Sequence, residues 1–385
     1  MRKLPPPGYE YYDGLILPSA VVAEAMARYD ARVTDATRAE QARLKLEGDQ
    51  QGGAVGADAA WPVPAEGSPG LSFKIFDKQQ VIDFKPAGVS AVQGRDEAAR
   101  ARALLRLLES KGEYRLLATL PADWRDDLCR LEQEFPNFVE VIDYLRVACA
   151  LASRTEGVLH ICMLLSGPAG TGKSMFAQVI GEWIGGGYSC IRYESAQSAA
   201  DLAGSSNFWS NTAPGRPFTM LTEGQYANPT FFLDEIDKVS AVQYDPLGAL
   251  YSLLEPGTAR THADLSWPFL HLDCSRINYV AACNEPRNIP APISSRLRRF
   301  DIPEPTPEQA LIIAKKIIGE EQKRHAVQVG FSDAAVDVLC RLAPRRMRQI
   351  VQEALGRALL HERNMVQVED FPAREKPRHG IGFLG

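Results

Sequence analysis

Gly167-Pro168-Ala169-Gly170-Thr171-Gly172-Lys173-Ser174 is the stretch on which the reading of this chain turns. All eight positions fit the phosphate-loop pattern, and both flanks agree with it. Upstream, the apolar run Leu159 to Leu165 has the length and residue types of a buried strand. Downstream, Met175-Phe176-Ala177-Gln178-Val179-Ile180 reads as a helix whose N-terminus faces the loop. Glycines at 167, 170 and 172 let the backbone curl until several N–H groups converge on phosphate oxygens. Lys173 then reaches the β and γ phosphates, and the Ser174 hydroxyl serves as a ligand for Mg²⁺. The helix dipole adds positive potential at the same point. The expected ligands are therefore ATP and Mg²⁺.

Binding a nucleotide is not hydrolysing it, so the next requirement is a carboxylate. About sixty residues on comes Thr230-Phe231-Phe232-Leu233-Asp234-Glu235-Ile236-Asp237-Lys238. A short apolar run ending in two acids describes a buried central strand whose carboxyl end meets the phosphates. Asp234 is placed to hold Mg²⁺ through its water shell, and Glu235 to orient and deprotonate the attacking water. A third strand, Ile277 to Cys283, ends at Asn284, whose amide can hold the lytic water or the γ-phosphate. Then follow Ile289-Pro290-Ala291-Pro292-Ile293-Ser294-Ser295-Arg296-Leu297-Arg298-Arg299-Phe300 and, later, Ala343-Pro344-Arg345-Arg346-Met347-Arg348.

With those motifs in place, residues 135–372 resemble an AAA+ ATPase, and above all the ATPase module of the Lon proteases. The likeness takes in Phe232 to Lys238, a helix from Asp245-Pro246 to Leu254-Glu255-Pro256, the spacing from Asp273 through Asn284 to Arg296, and Val366 to Asp370. It implies a P-loop α/β domain, with a parallel sheet flanked by helices, followed by a small all-helical lid. It also implies that Asn284 is the sensor-1 residue and that Arg296 is an arginine finger offered to a neighbouring subunit. Arg345 would be the sensor-2 arginine of the lid. Arg298 and Arg299 compete with Arg296 for the finger role, as Arg346 and Arg348 do with Arg345. A fixed, always-charged guanidinium suits the charge that builds on phosphoryl oxygens.

Between the second strand and the Asp234-Glu235 strand lies Gly204 to Arg216, polar at its ends with Phe208-Trp209 at its centre. Such a frame is loop sequence rather than core sequence. The Lon resemblance makes it a pore loop that grips substrate polypeptide, with Trp209 as the gripping aromatic. Here Ser210 follows Trp209 where an aliphatic residue is usual, and Phe208 precedes it. Packing of Phe208 and Trp209 in the core is the alternative.

The composition sets outer limits. A chain of 385 residues suggests two to three domains, and its 45% hydrophobic and 24% charged content is ordinary for a globular protein. The net charge of −5 gives no electrostatic case for nucleic acid. No apolar run is long enough for a membrane span, and Met1-Arg2-Lys3-Leu4-Pro5 does not open a secretory signal. Seven scattered cysteines read as reduced thiols, and the expected location is the cytoplasm.

Six segments are expected along the chain. Residues 1–47 form a helical region, 48–70 a Gly/Ala/Pro linker, and 71–130 an N-terminal domain of open role, so this end is mixed but mainly helical. Within it, Leu71 to Phe76 and Val81 to Phe84 alternate like strands, and Asp96–Ser110 reads as a helix. Residues 131–305 form the large ATPase domain, led by a helix from Asn137 to Ala152, with Phe135-Pro136-Asn137 a candidate adenine contact. Residues 306–373 form the lid, with helices at Glu308–Ile318, Ser332–Leu342 and Arg346–Leu360, and 374–385 a tail. Too little chain follows Asp370 for a Ser–Lys protease domain, so any peptidase would be another chain. Ile381-Gly382-Phe383 resembles the peptidase-docking loop of ClpX-type unfoldases, against the simpler reading that the tail packs on its own lid.

The favoured function is ATP-driven remodelling of a protein partner by a homohexameric ring, with no peptidase activity of its own and with a separate peptidase or adaptor as a possible partner. The alternative is a nucleotide-gated assembly factor or nucleic-acid-associated AAA+ protein that does not thread substrate.

Overall fold

A computed structural model describes residues 9–12, 15–18, 71–91, 95–193, 198–205, 213–239 and 245–372. Residues 19–47 of the expected helical region, the linker 48–70, Phe208 and Trp209, and the tail 374–385 lie outside the described residues. Two compact units emerge, one spanning Ala60–Pro305 and the other taking in the chain from Thr306 onward.

The first unit is built on a five-stranded parallel sheet. Its strands are β1 (Cys162–Ser166), β2 (Tyr188–Arg192), β3 (Thr230–Asp234), β4 (Asn278–Cys283) and β5 (Arg298–Asp301), in the order β5-β1-β4-β3-β2. A parallel sheet covered on both faces needs strands apolar throughout, and β4 is buried at every position. Alternate residues then serve opposite faces. Leu164, Phe231, Leu233, Tyr279 and Ala281 enter one core. Met163, Leu165, Phe232, Val280 and Ala282 enter the other, beneath helices Trp124–Glu134, Val139–Ala152 and Lys173–Ile184.

Residues from the 71–130 segment help to build the first core, where Ile75, Val81, Leu104 and Leu108 pack with the sheet residues. Arg115 ties the segment in: its buried guanidinium donates to the carbonyls of Leu221, Thr222, Gly112 and Tyr114 at 2.7–2.9 Å. These carbonyls lie near the C-terminal ends of helices Arg95–Lys111 and Arg216–Glu223, where a cation meets the negative end of the helix dipole. Burial pulls the Arg115 pKa down to about 10, which still leaves it charged at neutral pH.

Three local readings differ from the structure. Within the 1–47 segment expected to be helical, Tyr9–Tyr12 pairs antiparallel with Leu15–Pro18. Val81 to Phe84 lies in a helix, Lys78–Ala91, while Ser72–Lys74 pairs antiparallel with Tyr114–Leu116. A short apolar run does not distinguish strand from helix; Asp77 decides it by accepting the Gln79 amide at 3.1 Å, which starts the helical turn. The helix expected from Asp245 to Pro256 contracts to Leu250–Leu253, with a separate turn at Pro256–Ala259, because Pro256 fits only at a helix start.

The second unit holds helices Pro307–Arg324, Asp333–Leu339 and Pro344–Leu360, near the expected positions. Thr306 and Gln309 form a capping box at the first, and Ser332 caps the second. Their core gathers Ala314, Leu339, Met347, Val351 and Leu355. The fully buried carboxylate of Glu321 is neutralised by Arg348 at 2.7 Å and accepts Gln352 at 2.9 Å. Two-residue strands, Gly330–Phe331 and Met365–Val366, add a parallel pair to the helices.

Candidate functional site: the carboxyl ends of three adjacent strands

β4 lies between β1 and β3, with Cys283 opposite Ser166 and Ala281 opposite Leu233. This register brings the ends of all three strands to one edge, where the chain leaves as Gly167, Asn284 and Glu235. Gly167 donates its amide to the Cys283 carbonyl at 3.2 Å. A Cβ there would sit 2.3 Å from the Ile302 carbonyl oxygen, so the close approach requires glycine. Gly170 and Gly172 have φ of 85° and 99°, the left-handed turns that curl the loop ahead of the helix.

Lys173 opens that helix with a largely buried side chain. Its ammonium donates to the carbonyls of Gly167 and Pro168 at 2.7 and 2.8 Å and to Asn284 Oδ1 at 3.1 Å. Burial lowers its pKa, opposed by the nearby Cys283, Asp234, Asp237 and Glu235. Beside it the Ser174 hydroxyl faces both carboxylate oxygens of Asp234 at 3.4 and 3.5 Å. Burial raises the Asp234 pKa, and the Ser174 hydroxyl, Arg192 and Lys173 act against that rise. A hydroxyl and a carboxylate are hard oxygen donors, and Mg²⁺ takes one or two such protein ligands while keeping several waters. The pair fits Mg²⁺, and Ser174 and Asp234 would hold it.

Among the described residues, Glu235 is one of three non-glycine residues with positive φ, at 54°. A left-handed glutamate is strained and persists only where its surroundings hold it. Here the Ile236 amide donates to the Ala282 carbonyl at 3.1 Å, and the Lys238 amide closes back on the Glu235 carbonyl at 2.9 Å. Asp237 completes the turn. Its buried carboxylate accepts the amides of Asn284 and Glu285 at 3.2 and 2.8 Å. The turn carrying Glu235 and the turn carrying Asn284 are thus joined through one side chain.

Asn137 does not present a free amide to a base. It donates to the carbonyls of Thr171 and Pro303 at 3.2 and 3.1 Å, tethering the phosphate loop. Phe138 stacks on Phe176 with centroids 4.4 Å apart, supporting Gly172 from beneath.

The arginines are not all drawn to this edge. Arg296, after the short helix Ala291–Ser294, donates through Nε to Glu255 at 3.0 Å and through Nη1 to the Pro292 carbonyl at 2.5 Å. Arg298 lies over the Tyr144 ring at 4.5 Å, and Arg299 pairs with Asp301 at 2.6 Å. Arg345 is exposed in the first turn of Pro344–Leu360, in the second unit. Its competitors are engaged there: Arg346 with Gln349 at 3.1 Å and Arg348 with Glu320 and Glu321. Asp237 is a residue of this edge whose part is not read from the sequence. The three acids of Asp234-Glu235-Ile236-Asp237 carried the one available signal, a carboxylate three residues beyond the first.

Residues 163–307 match the family model for the ATPase family associated with various cellular activities (AAA). The chain is 32% identical to Lon protease 2 of Thermus thermophilus over 159 residues, covering 40% of this chain and 19% of that protein. To the Lon protease of Clostridioides difficile it is 31% identical over 195 residues, covering 50% and 24%. To Lon protease 4 of Sorangium cellulosum it is 28% identical over 291 residues, covering 69% and 36%. The matches thus span about a fifth to a third of those relatives' lengths. Among solved structures, the Thermotoga maritima RuvB Holliday junction branch migration motor aligns with a TM-score of 0.41 at 16% identity, covering 60% of this chain and 66% of that one. Residues 163–307 thus match an AAA-family domain, and the surrounding region is similar to part of the Lon proteases. Among the described residues, no helix is long and apolar enough to cross a membrane.

Proposed function

We propose that this chain binds ATP with Mg²⁺, hydrolyses it, and spends the cycle on remodelling a protein partner as a ring of identical subunits, six by analogy with AAA+ assemblies. The observation that carries the catalytic part is the meeting of Lys173 with Asn284 and of Ser174 with Asp234 on one sheet edge. Lys173 and the curled loop amides bind the phosphates, and Asn284 holds the attacking water or the γ-phosphate. That water adds to the γ-phosphorus as the bond to the β-bridging oxygen breaks, and Glu235 takes its proton. Mg²⁺, held by Ser174 and Asp234, would offset charge on the β and γ oxygens. Arg296 of a neighbouring copy and Arg345 of the lid supply guanidinium charge to the same phosphoryl group.

Glu235→Gln tests the chemistry. Expected is ATP affinity near wild type with turnover lower by about 10²-fold or more; near-normal turnover would remove Glu235 from its role. Remodelling rests on the likeness to the Lon ATPase region, and Trp209→Ala tests the threading form of it. Loss of partner-stimulated turnover with basal turnover and melting temperature retained supports threading. A fall of about 3–5 kcal/mol in stability returns Trp209 to the core and favours the nucleotide-gated assembly factor.

A further inference from the structure

Arg296 has a partner that no part of the scheme above uses. Its Nε donates to Glu255 Oε2 at 3.0 Å while Nη1 donates to the Pro292 carbonyl at 2.5 Å. One donor on each side of the planar guanidinium is thereby fixed, and Nη2 carries no hydrogen bond among the described residues. Both anchors are stiff. Glu255 stands between Leu254, which is buried in the core, and Pro256, which opens the turn Pro256–Ala259; the Glu255 carbonyl accepts the Ala259 amide at 2.9 Å. Pro292 belongs to a helical turn whose Ile293 is fully buried. The side chains themselves are part-open, 28% exposed for Arg296 and 47% for Glu255. An ion pair this exposed contributes little to stability, so stability does not account for it. What it does accomplish is to remove the rotamer freedom of a long side chain, which matters when a guanidinium must meet a reacting group within about 0.5 Å.

We infer that Glu255 is the positioning residue for Arg296: with the Pro292 carbonyl it holds the guanidinium on its own subunit so that Nη2 is presented to the nucleotide of a neighbouring copy. The inference rests on the reading of Arg296 as a finger acting in trans. It also separates Arg296 from its rivals, since Arg298 lies over an aromatic ring and Arg299 pairs with an acid on its own strand. Glu255 touches neither substrate nor water; it acts through Arg296.

The test uses the full chain and four variants: Glu255→Ala, Glu255→Asp, Glu255→Gln and Arg296→Ala. Steady-state ATP turnover is followed against ATP and against protein concentration, with nucleotide affinity and melting temperature measured in parallel. Arg296→Ala is expected to lose about 10³-fold in kcat. Glu255→Ala should lose between about 10- and 100-fold, the cost of misplacing a reacting group by about 1 Å, with ATP affinity and melting temperature unchanged. Glu255→Asp keeps the charge but withdraws it by one methylene, so it should behave like Glu255→Ala. Glu255→Gln keeps an acceptor oxygen in place and should recover most of the loss. In the Arg296→Ala background, Glu255→Ala should cost nothing further. Normal or raised turnover in Glu255→Ala beside an inactive Arg296→Ala overturns the positioning role and leaves the finger standing. A fully active Arg296→Ala overturns the finger and this inference with it. A loss in Glu255→Ala that comes with weaker ATP binding or a lower melting temperature assigns Glu255 to structure instead.

Discussion

The left-handed backbone at Glu235 allows the catalytic turn to be tested without any substrate. Consider Glu235→Gly and Glu235→Ala, which remove the same carboxylate and differ by one methyl group. At ordinary positions glycine is the less stable of the two by about 0.5–1 kcal/mol, because it loses more backbone freedom on folding. At φ of 54° a Cβ costs about 1–2 kcal/mol, and only alanine carries it. The difference should therefore reverse, leaving Glu235→Gly ahead by roughly 0.5–1 kcal/mol. Urea unfolding read at a common slope gives the comparison directly. In a unit of this size about 1 kcal/mol corresponds to a melting shift of roughly 2–4 °C. Both variants should lose ATP turnover by about 10²-fold or more, since both lack the base. If alanine proved the more stable, the strained turn would not exist in solution, and the placement of Glu235 beside Asn284 would go with it.

Lys173→Ala removes an ammonium bound to two carbonyls and Asn284, and ATP affinity should fall about 10- to 100-fold by calorimetry; an unchanged affinity contradicts the phosphate role. Asp234 has its pKa raised by burial, so its ionised form opposes folding: the penalty is absent below the ordinary carboxylate range and complete once the pH passes the raised value. Nucleotide-free Asp234→Asn should hence melt at or above wild type at neutral pH, with the gap closing in acid, while Mg²⁺-dependent ATP binding is lost; a lower neutral melting temperature contradicts this. Asp237→Ala strands the amides of Asn284 and Glu285 and should cost about 2–5 kcal/mol in urea unfolding, whereas Asp237→Asn, which keeps an oxygen for them, should cost about 1 kcal/mol. Equal small losses would mean that the clamp holds nothing.

The three central strands of the sheet could be read from the sequence because strands buried on both faces leave an unbroken apolar run, as Phe231-Phe232-Leu233 and Val280-Ala281-Ala282 do, whereas the edge strand Arg298–Asp301 is mostly charged and exposed. The glycines could be read because left-handed turns and close backbone approach exclude other residues at 167, 170 and 172. What stayed hidden depends on pairing between distant segments. Val81 alternates as a strand would, and only the Asp77 cap turns it into a helix. Glu255 meets Arg296 from 41 positions away, across a contact with no sequence period. Arg115 looks like one more surface charge until the carbonyls of Leu221 and Thr222 close on it. The turn Phe135-Pro136-Asn137 reads as a candidate adenine contact, while the Asn137 amide is spent on Thr171 and Pro303.

The contacts of Lys173 and Asp237 also suggest how a phosphate at the loop reaches the hydrolytic turn. The ammonium holds Asn284 through Oδ1, while Asp237 holds the same residue through its backbone amide. A phosphate oxygen competing for the ammonium loosens only the first of these. Asn284 then keeps its backbone position but gains a free amide oxygen, the acceptor that an attacking water needs. Asp237 belongs to the turn that bends Glu235 into its left-handed conformation, so the proposed water holder and the proposed base stay on one frame during that exchange. Flexible loops at either position would need to be ordered at each turnover, and the buried carboxylate removes that step. The cost is an anionic side chain fully out of water, with Lys238 3.7 Å away and Oδ1 without a hydrogen bond among the described residues. A buried charge so incompletely satisfied is poor engineering for stability alone. It makes sense as the pin between the two turns proposed to carry the chemistry.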